Sequence, residues 1–279
     1  MTGTSGLPEE IERYLGGWAL IPDGALVVTR SSWVLPVRAR LEPAMLKVAR
    51  IPDEQAGFRL MSWWNGGGAA RIIEAADGAL LMERAMGGGS LARMARFGDD
   101  DEACRILCGA AARLHAPRPS PPPALHRLDD WFQPLFRLAD SHSALSPAAE
   151  QARSLLADQR DVRPLHGDLH HDNVLDFETR GWLAIDPHGL IGERTFDFAN
   201  IFTNPDLGDP TVPVATLPGR VEARLGIVAG ETGIEAARIL DWVVAWTGLS
   251  AAWFIEDDDH AGAEIDLQVN GIARSLRAA

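Results

Sequence analysis

His166-Gly167-Asp168-Leu169-His170-His171-Asp172-Asn173, followed by Val174-Leu175-Asp176-Phe177 and then by Trp182-Leu183-Ala184-Ile185-Asp186, is the stretch that decides the fold. The two apolar runs have the two-residue period of strands, and Glu178-Thr179-Arg180-Gly181 between them reads as a turn. An antiparallel hairpin brings its two ends together, so Asn173 and Asp186 are expected side by side. One amide oxygen and one carboxylate at a shared edge suit Mg²⁺, a hard cation that takes oxygen ligands. Asp168, at the other end of the loop, then faces whatever lies beside that metal.

Outward from the hairpin the chain changes character. The first third reads as strands: Ala25–Thr29, Trp33–Val37 and Ala44–Ala49, then Arg71–Ala75 and Ala79–Glu83 joined by Asp77-Gly78, a strong hairpin signal. Between the third and fourth runs, Asp53–Met61 suggests a helix. After Gly87-Gly88-Gly89 helical periodicity takes over, with helices expected at Asp101–His115, Trp131–Leu138 and Pro147–Leu156 and from Phe196 onward. Pro117–Pro123 holds five prolines and reads as a rigid connector. The expected class is therefore α+β, a bilobal kinase-like chain. Its small β-rich lobe, residues 1–85, would bind nucleotide, and its larger helical lobe, residues 86–279, would hold the catalytic loop and the acceptor. The boundary falls near Glu83–Gly88, and the triple glycine is read as a flexible point just beyond it.

His-Gly-Asp-Leu-His-x-x-Asn followed by Ile-Asp-Pro resembles the catalytic signature of the aminoglycoside phosphotransferases, relatives of protein kinases. The stretch Leu165–Phe202, with Gly189-Leu190-Ile191-Gly192-Glu193 and Phe198-Ala199-Asn200, resembles most the streptomycin 6-phosphotransferase and hydroxyurea phosphotransferase branch. Trp64-Asn65-Gly66 and Leu249-Ser250-Ala251-Ala252-Trp253 extend the likeness over most of the chain. The resemblance implies ATP as donor, Mg²⁺ at Asn173 and Asp186, and Asp168 as the catalytic carboxylate that aims an acceptor hydroxyl. It makes His166 a loop-shaping residue. His170 and His171 are read as structural, since adjacent side chains diverge and no third zinc ligand is evident.

Lys47 gives the same answer from the other lobe. It is the only lysine, the other 25 of the 26 basic residues being arginine, and it sits in an apolar strand. Kinase-like enzymes place a third-strand lysine on the α- and β-phosphates and hold it with a helix glutamate, here Glu54. Between the first two strands Thr29-Arg30-Ser31-Ser32-Trp33 has no glycine, and Ser31 and Ser32 are assigned to the phosphates. Neither Gly66-Gly67-Gly68 nor Gly87-Gly88-Gly89 follows a strand and opens a helix as a phosphate loop does. Met82-Glu83-Arg84-Ala85 resembles the interlobe hinge, where adenine would bond the backbone of Glu83 and Ala85. Hinge sequence alone leaves GTP open beside ATP.

Net charge is −13 with a pI near 5.0. Such a surface disfavours nucleic acid and anionic membrane and favours a cationic partner. In the helical lobe Glu256-Asp257-Asp258-Asp259 follows an aromatic run with Trp246 and Trp253, and the resemblance makes these acids the partners of a cationic, hydroxylated small molecule. Residues 1–17 carry acids and lack an apolar core, so they do not read as a signal peptide. Ile239–Ile255 is interrupted by Asp241 and Gly248 and falls short of the roughly 20 residues a membrane span needs; it reads as one buried helix, or two broken near Gly248. Cys104 and Cys108 read as buried reduced thiols, which suits a cytoplasmic protein. Thr195-Phe196-Asp197 reads as a helix start, with Arg194 and Asp197 structural.

The alternatives left open are a metabolic kinase for choline, homoserine or a sugar-like alcohol, and a nucleotide-binding pseudokinase. Lys47, Asp168, Asn173 and Asp186 are all present, against the pseudokinase. No Ala-Pro-Glu follows Asp186, against a protein kinase.

Overall fold

The computed structural model describes residues 6–279, so the first five residues of both the leader reading and the small-lobe range lie outside the described residues. An antiparallel sheet comes first in the chain. Its strands are β1 (Ile21–Pro22), β2 (Val27–Val28), β3 (Ser32–Ala39), β4 (Glu42–Ala49), β5 (Ile72–Ala76) and β6 (Ala79–Glu83), in the order β1-β3-β4-β6-β5 with β2 also on β3. β4 is central, paired to β3 on one side and β6 on the other. Its two-residue period turns Ala44, Leu46 and Val48 toward one core and Met45, Lys47 and Ala49 toward the other face.

The first core is closed by α1 (Glu9–Gly17), a helix the sequence reading missed while attending to its acids. Ile11, Tyr14 and Leu15 recur at helical spacing and are buried against Leu35, Leu46 and Leu81. On the opposite face lies α2 (Glu54–Trp64), whose Phe58, Leu60, Met61 and Trp64 join the core of the helical part. α2 ends at Asn65 in the left-handed conformation (φ 35°), a common helix stop.

Beyond the sheet come α3 (Leu91–Arg96), α4 (Asp100–Leu114), β7 (His126–Arg127), α5 (Leu128–Trp131), α6 (Gln133–Ala139) and α7 (Ser146–Ala157). The single helix expected over Trp131–Leu138 is in fact two short ones, α5 and α6, parted at Phe132 just ahead of Pro134, which sits in the first turn of α6. Then follow β8 (Val162–Leu165), β9 (Val174–Asp176), β10 (Trp182–Ala184), β11 (Leu190–Glu193) and α8 (Phe196–Ala199). β9 and β10 form the expected hairpin, with Val174 opposite Ala184. A small sheet β7-β11-β8, which the sequence reading did not separate, frames it.

α9 (Arg220–Thr232), α10 (Ala236–Glu256) and α11 (His260–Ala278) complete the chain. α10 runs unbroken through Gly248. It is long and apolar enough by composition to cross a bilayer, yet most of it is buried inside the protein, packed on α11, α7, α6 and α8. Trp242 is fully buried there, edge-on to Phe196 at 5.7 Å between ring centroids. Gly248 serves contact rather than a break: a Cβ on it would meet the Ala148 Cβ of α7 at 2.1 Å. Cys104 and Cys108 are free and buried in α4, and the hydrogen bond between them, reinforced by burial, keeps the Cys108 thiol protonated.

Gly248→Ala is expected to destabilise the protein by about 1–2 kcal/mol, because overpacking outweighs the better helix propensity of alanine. In urea unfolding, adding Ala148→Gly should recover part of that loss; a purely additive double mutant would refute the contact.

Candidate active site

The loop between β8 and β9 is fastened from behind. Asp197, fully buried at the start of α8, accepts hydrogen bonds from the backbone N–H of His166 at 2.9 Å and of Gly167 at 2.8 Å. Its Oδ2 also meets His115 Nε2 at 2.8 Å. Asp197 is thus more than the helix start read from sequence, because it orients the turn that presents Asp168. Gly167 has φ 84°, where a Cβ would press on Leu190 at 2.8 Å. The His166 ring donates from Nε2 to the Ile185 carbonyl at 2.7 Å and accepts at Nδ1 from the Asp168 N–H at 3.2 Å. Burial lowers its pKa, which keeps that neutral tautomer in place.

Asp168 is held at both oxygens. Asn200 Nδ2 donates to Oδ1 at 2.7 Å and Asn173 Nδ2 to Oδ2 at 2.9 Å. Asn200 is itself steadied by Asn204 Nδ2, which donates to its Oδ1 at 2.8 Å. Burial alone would push Asp168 up, but His170, His188 and His166 together hold it well below the usual carboxylate range. His170 Nε2 lies 3.5 Å from Asp168 Oδ2. Burial opposes its protonation, yet Asp168, with Asp172 and Asp186, raises its pKa above the ordinary histidine value. His171 is buried with neither ring nitrogen bonded, and burial holds it neutral. Asn200, Asn204 and His188 escaped the sequence reading. Asn200 stood in a motif string, but nothing local aimed its amide at Asp168.

The hairpin delivers the expected pair. The Ile185 N–H donates to the Asn173 carbonyl at 2.9 Å, which sets the two ends in register, and Asp186 turns outward with φ 61°. The Asn173 amide nitrogen is spent on Asp168, so its oxygen is left for a cation beside the half-exposed Asp186 carboxylate. That donor set fits Mg²⁺, which takes one or two protein oxygens and completes its shell with water and phosphate. Among the described residues no group of three His, Cys, Asp or Glu side chains is gathered at ligand spacing.

Lys47 projects from the central strand, not an edge, and is almost wholly buried. Its Nζ is 2.6 Å from Glu54 Oε2 and also pairs with Asp186. Burial pulls its pKa down, but the Asp186 and Glu54 carboxylates outweigh burial and the net shift is upward. Glu54 is correspondingly lowered: burial would raise it, but the Lys47 charge and the Ser31 and Ser32 hydroxyls prevail.

Ser32 departs from its assignment. It is fully buried, its hydroxyl donates to Glu54 at 2.9 Å and its N–H donates to Thr29 Oγ1 at 2.9 Å, so it braces Glu54 rather than facing a phosphate. Ser31 lines the adjoining cavity beside Arg30 and Glu54.

At the strand end the Glu83 side chain is committed too, accepting from the Arg71 N–H at 2.5 Å and pairing with Arg180 from the turn after β9. Ala85 packs half-buried on the main core. Of the glycines that follow, Gly87 and Gly89 are held close against β9, and Gly88 between them faces open space. Gly87 and Gly89 donate to Asp176 at 3.0 and 3.1 Å, and a Cβ on Gly87 would lie 2.1 Å from the Asp176 carboxyl carbon. Close approach to β9 is what those positions require.

A cleft of about 320 Å³ opens beside Asp168, lined among others by Asn200, Trp246, Ser250, Trp253 and Asp257. Of the acidic run only Asp257 reaches it. Glu256 pairs with Arg137 at 2.8 Å, Asp258 takes the left-handed turn position (φ 58°), and Asp259 caps α11 by accepting from the Gly262 N–H at 3.0 Å. A run of four like charges is thus divided between one cleft residue and three local structural jobs.

The raised pKa of His170 makes a stability prediction. A raised folded-state value means stabilisation fully present below the unfolded value of about 6.5 and lost as pH rises through the folded one. Urea midpoints of His170→Asn should therefore lack the part of the wild-type decline that begins near neutrality. Parallel profiles for both proteins would exclude the Asp168–His170 coupling.

Residues 17–258 match the family model described as aminoglycoside/hydroxyurea antibiotic resistance kinase. A streptomycin 3''-kinase of Klebsiella pneumoniae is 68% identical over 93% of this chain and 98% of its own. A streptomycin 6-kinase of Streptomyces glaucescens is 31% identical over 97% of this chain and 89% of its own. Among solved structures, a thermostable mutant of aminoglycoside phosphotransferase APH(4)-Ia in ternary complex with ADP and hygromycin B superposes with a TM-score of 0.67. It covers 95% of this chain and 97% of its own at 12% identity, a likeness of fold. The bilobal α+β architecture is that of the small-molecule kinases, and the chain belongs to the aminoglycoside/hydroxyurea antibiotic resistance kinase family as an ATP-dependent phosphotransferase.

Proposed function

We propose that the protein phosphorylates streptomycin at its 3''-hydroxyl, with ATP as donor. The 68% identity to a streptomycin 3''-kinase over nearly the whole of both chains carries this reading. The sequence resemblance pointed instead to position 6, but the relatives named for that position stand at 31%. Transfer to the 6-hydroxyl is the second reading. Asp257, which lines the cleft together with Asp168, and the aromatic faces of Trp246 and Trp253 suit a cationic, hydroxylated acceptor.

Lys47, steadied by Glu54, takes the phosphates of the nucleotide, and backbone groups of Glu83 and Ala85 receive its base. Asn173 and Asp186 would hold Mg²⁺, which would supply charge neutralisation on the phosphate oxygens. In that state Lys47 exchanges its contact with Asp186 for one with phosphate. Asp168 accepts the bond from the acceptor hydroxyl and orients that oxygen in line with the γ-phosphorus. With its pKa held low it is no strong base. It takes the proton as the new oxygen–phosphorus bond forms and the bond to the β,γ-bridging oxygen breaks, in a loose transition state that asks little basicity of it. Asn200 and Asn173 keep its carboxylate in one rotamer, so a single oxygen geometry is presented. Phosphorylation adds roughly −1.5 to −2 charge to a cationic antibiotic, which weakens any target contact that depends on positive charge.

Two measurements test this. Purified protein with ATP, Mg²⁺ and streptomycin should give a product whose two-dimensional ¹H–³¹P spectrum correlates phosphorus with the proton at carbon 3''. Correlation at carbon 6 would select the second reading, and turnover of choline or hydroxyurea alone would reject both. Asp168→Asn should lower kcat by about 10²–10⁴ while the thermal midpoint stays close to that of wild type. Undiminished turnover would remove Asp168 from its role.

A further inference from the structure

We propose that Arg30 is a catalytic cation that Asp257 holds off the nucleotide until the acceptor's own cation takes that carboxylate. This rests on the cationic-acceptor reading above and extends it to a coupling between the two substrates.

The contact spans the active-site cleft. Arg30 stands at the tip of the turn between β2 and β3, and its Nη1 lies 2.7 Å from Asp257 Oδ2, just after the end of α10. Each partner also lines a different part of the site. Arg30 borders a cavity shared with Ser31, Glu54 and His188, at the turn the sequence assigns to the phosphates. Asp257 borders the cleft that contains Asp168, on the acceptor side. One ion pair therefore joins the two substrate cavities.

The turn needs a cation for its chemistry. It has no glycine between Thr29 and Trp33, and Ser32 has spent both its hydroxyl and its N–H within the protein. The N–H groups of Arg30 and Ser31 donate to no acceptor among the described residues, which leaves them to an incoming anion. Lys47 approaches from the sheet, paired with Glu54, and the other cation of the turn, Arg50, is committed to the carbonyls of Thr29 and Arg30 with its guanidinium over Trp33. The planar fork of Arg30 matches phosphate oxygens in a way an ammonium cannot. Negative charge spread over those oxygens in a loose transition state is what such a group stabilises.

The pair is also built to exchange. The Arg30 side chain is 85% exposed and that of Asp257 53%, so water screens their attraction and neither is locked in place. A guanidinium or ammonium on the acceptor, already oriented by Trp253 and by Asp168, competes for Asp257 with the same chemistry as Arg30. Once displaced, Arg30 is free to close on the nucleotide. Acceptor and nucleotide then bind with positive coupling, and the reciprocal effect follows by linkage.

The test uses AMP-PNP with Mg²⁺ in calorimetry, with and without streptomycin, and steady-state kinetics on the same proteins. In wild type, streptomycin should tighten AMP-PNP binding by about five- to tenfold. Asp257→Asn without any acceptor should bind AMP-PNP more tightly than wild type by a similar factor, because Arg30 is already free, and streptomycin should add nothing further. Arg30→Met should lose the coupling and lower kcat at least about tenfold, while the acceptor KM does not rise, since Asp257 no longer has a competitor. Arg30→Lys should recover kcat only in part. Unchanged acceptor-free AMP-PNP affinity in Asp257→Asn, or an undiminished kcat in Arg30→Met, would overturn the proposal. Should streptomycin not be turned over at all, the proposed function fails, yet the acceptor-free comparison still decides whether Asp257 restrains Arg30.

Discussion

A buried lysine between two carboxylates is the constraint on which the site turns. Lys47 comes from the central strand β4, Glu54 from α2 and Asp186 from the end of the catalytic hairpin, so three distant segments must meet at one nitrogen. Removing such charges from water costs several kcal/mol each, and the attraction between them roughly repays that cost. The triad is accordingly weak as a source of stability and strong as a source of position. It ties the sheet to the hairpin in an arrangement that leaves the buried Lys47 charge paired, and that arrangement places Lys47 beside Asp186.

Backbone contact sets the distance over which this works. A Cβ on Gly57 of α2 would lie 2.0 Å from the Pro187 carbonyl oxygen, and one on Gly189, where φ is 74°, would lie 2.4 Å from the carbonyl carbon of Ala56. The first turns of α2 therefore rest directly on the segment after Asp186 with no side chain between them. Glu54, three residues before Gly57, is carried to the same place. On the far side of the hairpin Asp176 receives the N–H groups of Gly87 and Gly89, and Arg180 reaches Glu83. The hairpin is thus gripped at both ends, by α2 and by the segment that follows β6.

How legible this was in the sequence depended on how local each signal is. The hairpin, the central-strand lysine and the loop from His166 to Asn173 are short-range patterns with fixed spacing, and each lies where its pattern puts it. α1 was missed although Ile11, Tyr14 and Leu15 have helical spacing, because their partner surface is the far face of a sheet formed by other residues. Ser32 was assigned to phosphate by its place in a turn, whereas its hydroxyl is drawn inward by Glu54, 22 residues on. Gly87 and Gly89 looked like freedom and are contact, a distinction that needs Asp176 in view. Asn200 and Asn204 had no local signature, since an amide's target is set by folding alone.

The same division separates the reaction from the acceptor. Phosphoryl transfer asks for a few groups held by adjacent backbone, so it compresses into a motif. A cleft asks for walls, and the walls beside Asp168 come from the segment after α8 (Asn200 to Gly208), from α10 and from the turn before α11, with Asp257 alone of the four acids at 256–259 reaching it. Under the proposed function, the choice between two hydroxyls of one acceptor is finer still, because it would depend on how the molecule lies across Trp246, Trp253 and Asp257. That geometry is a property of packed side chains far apart in sequence, which a short loop motif does not hold.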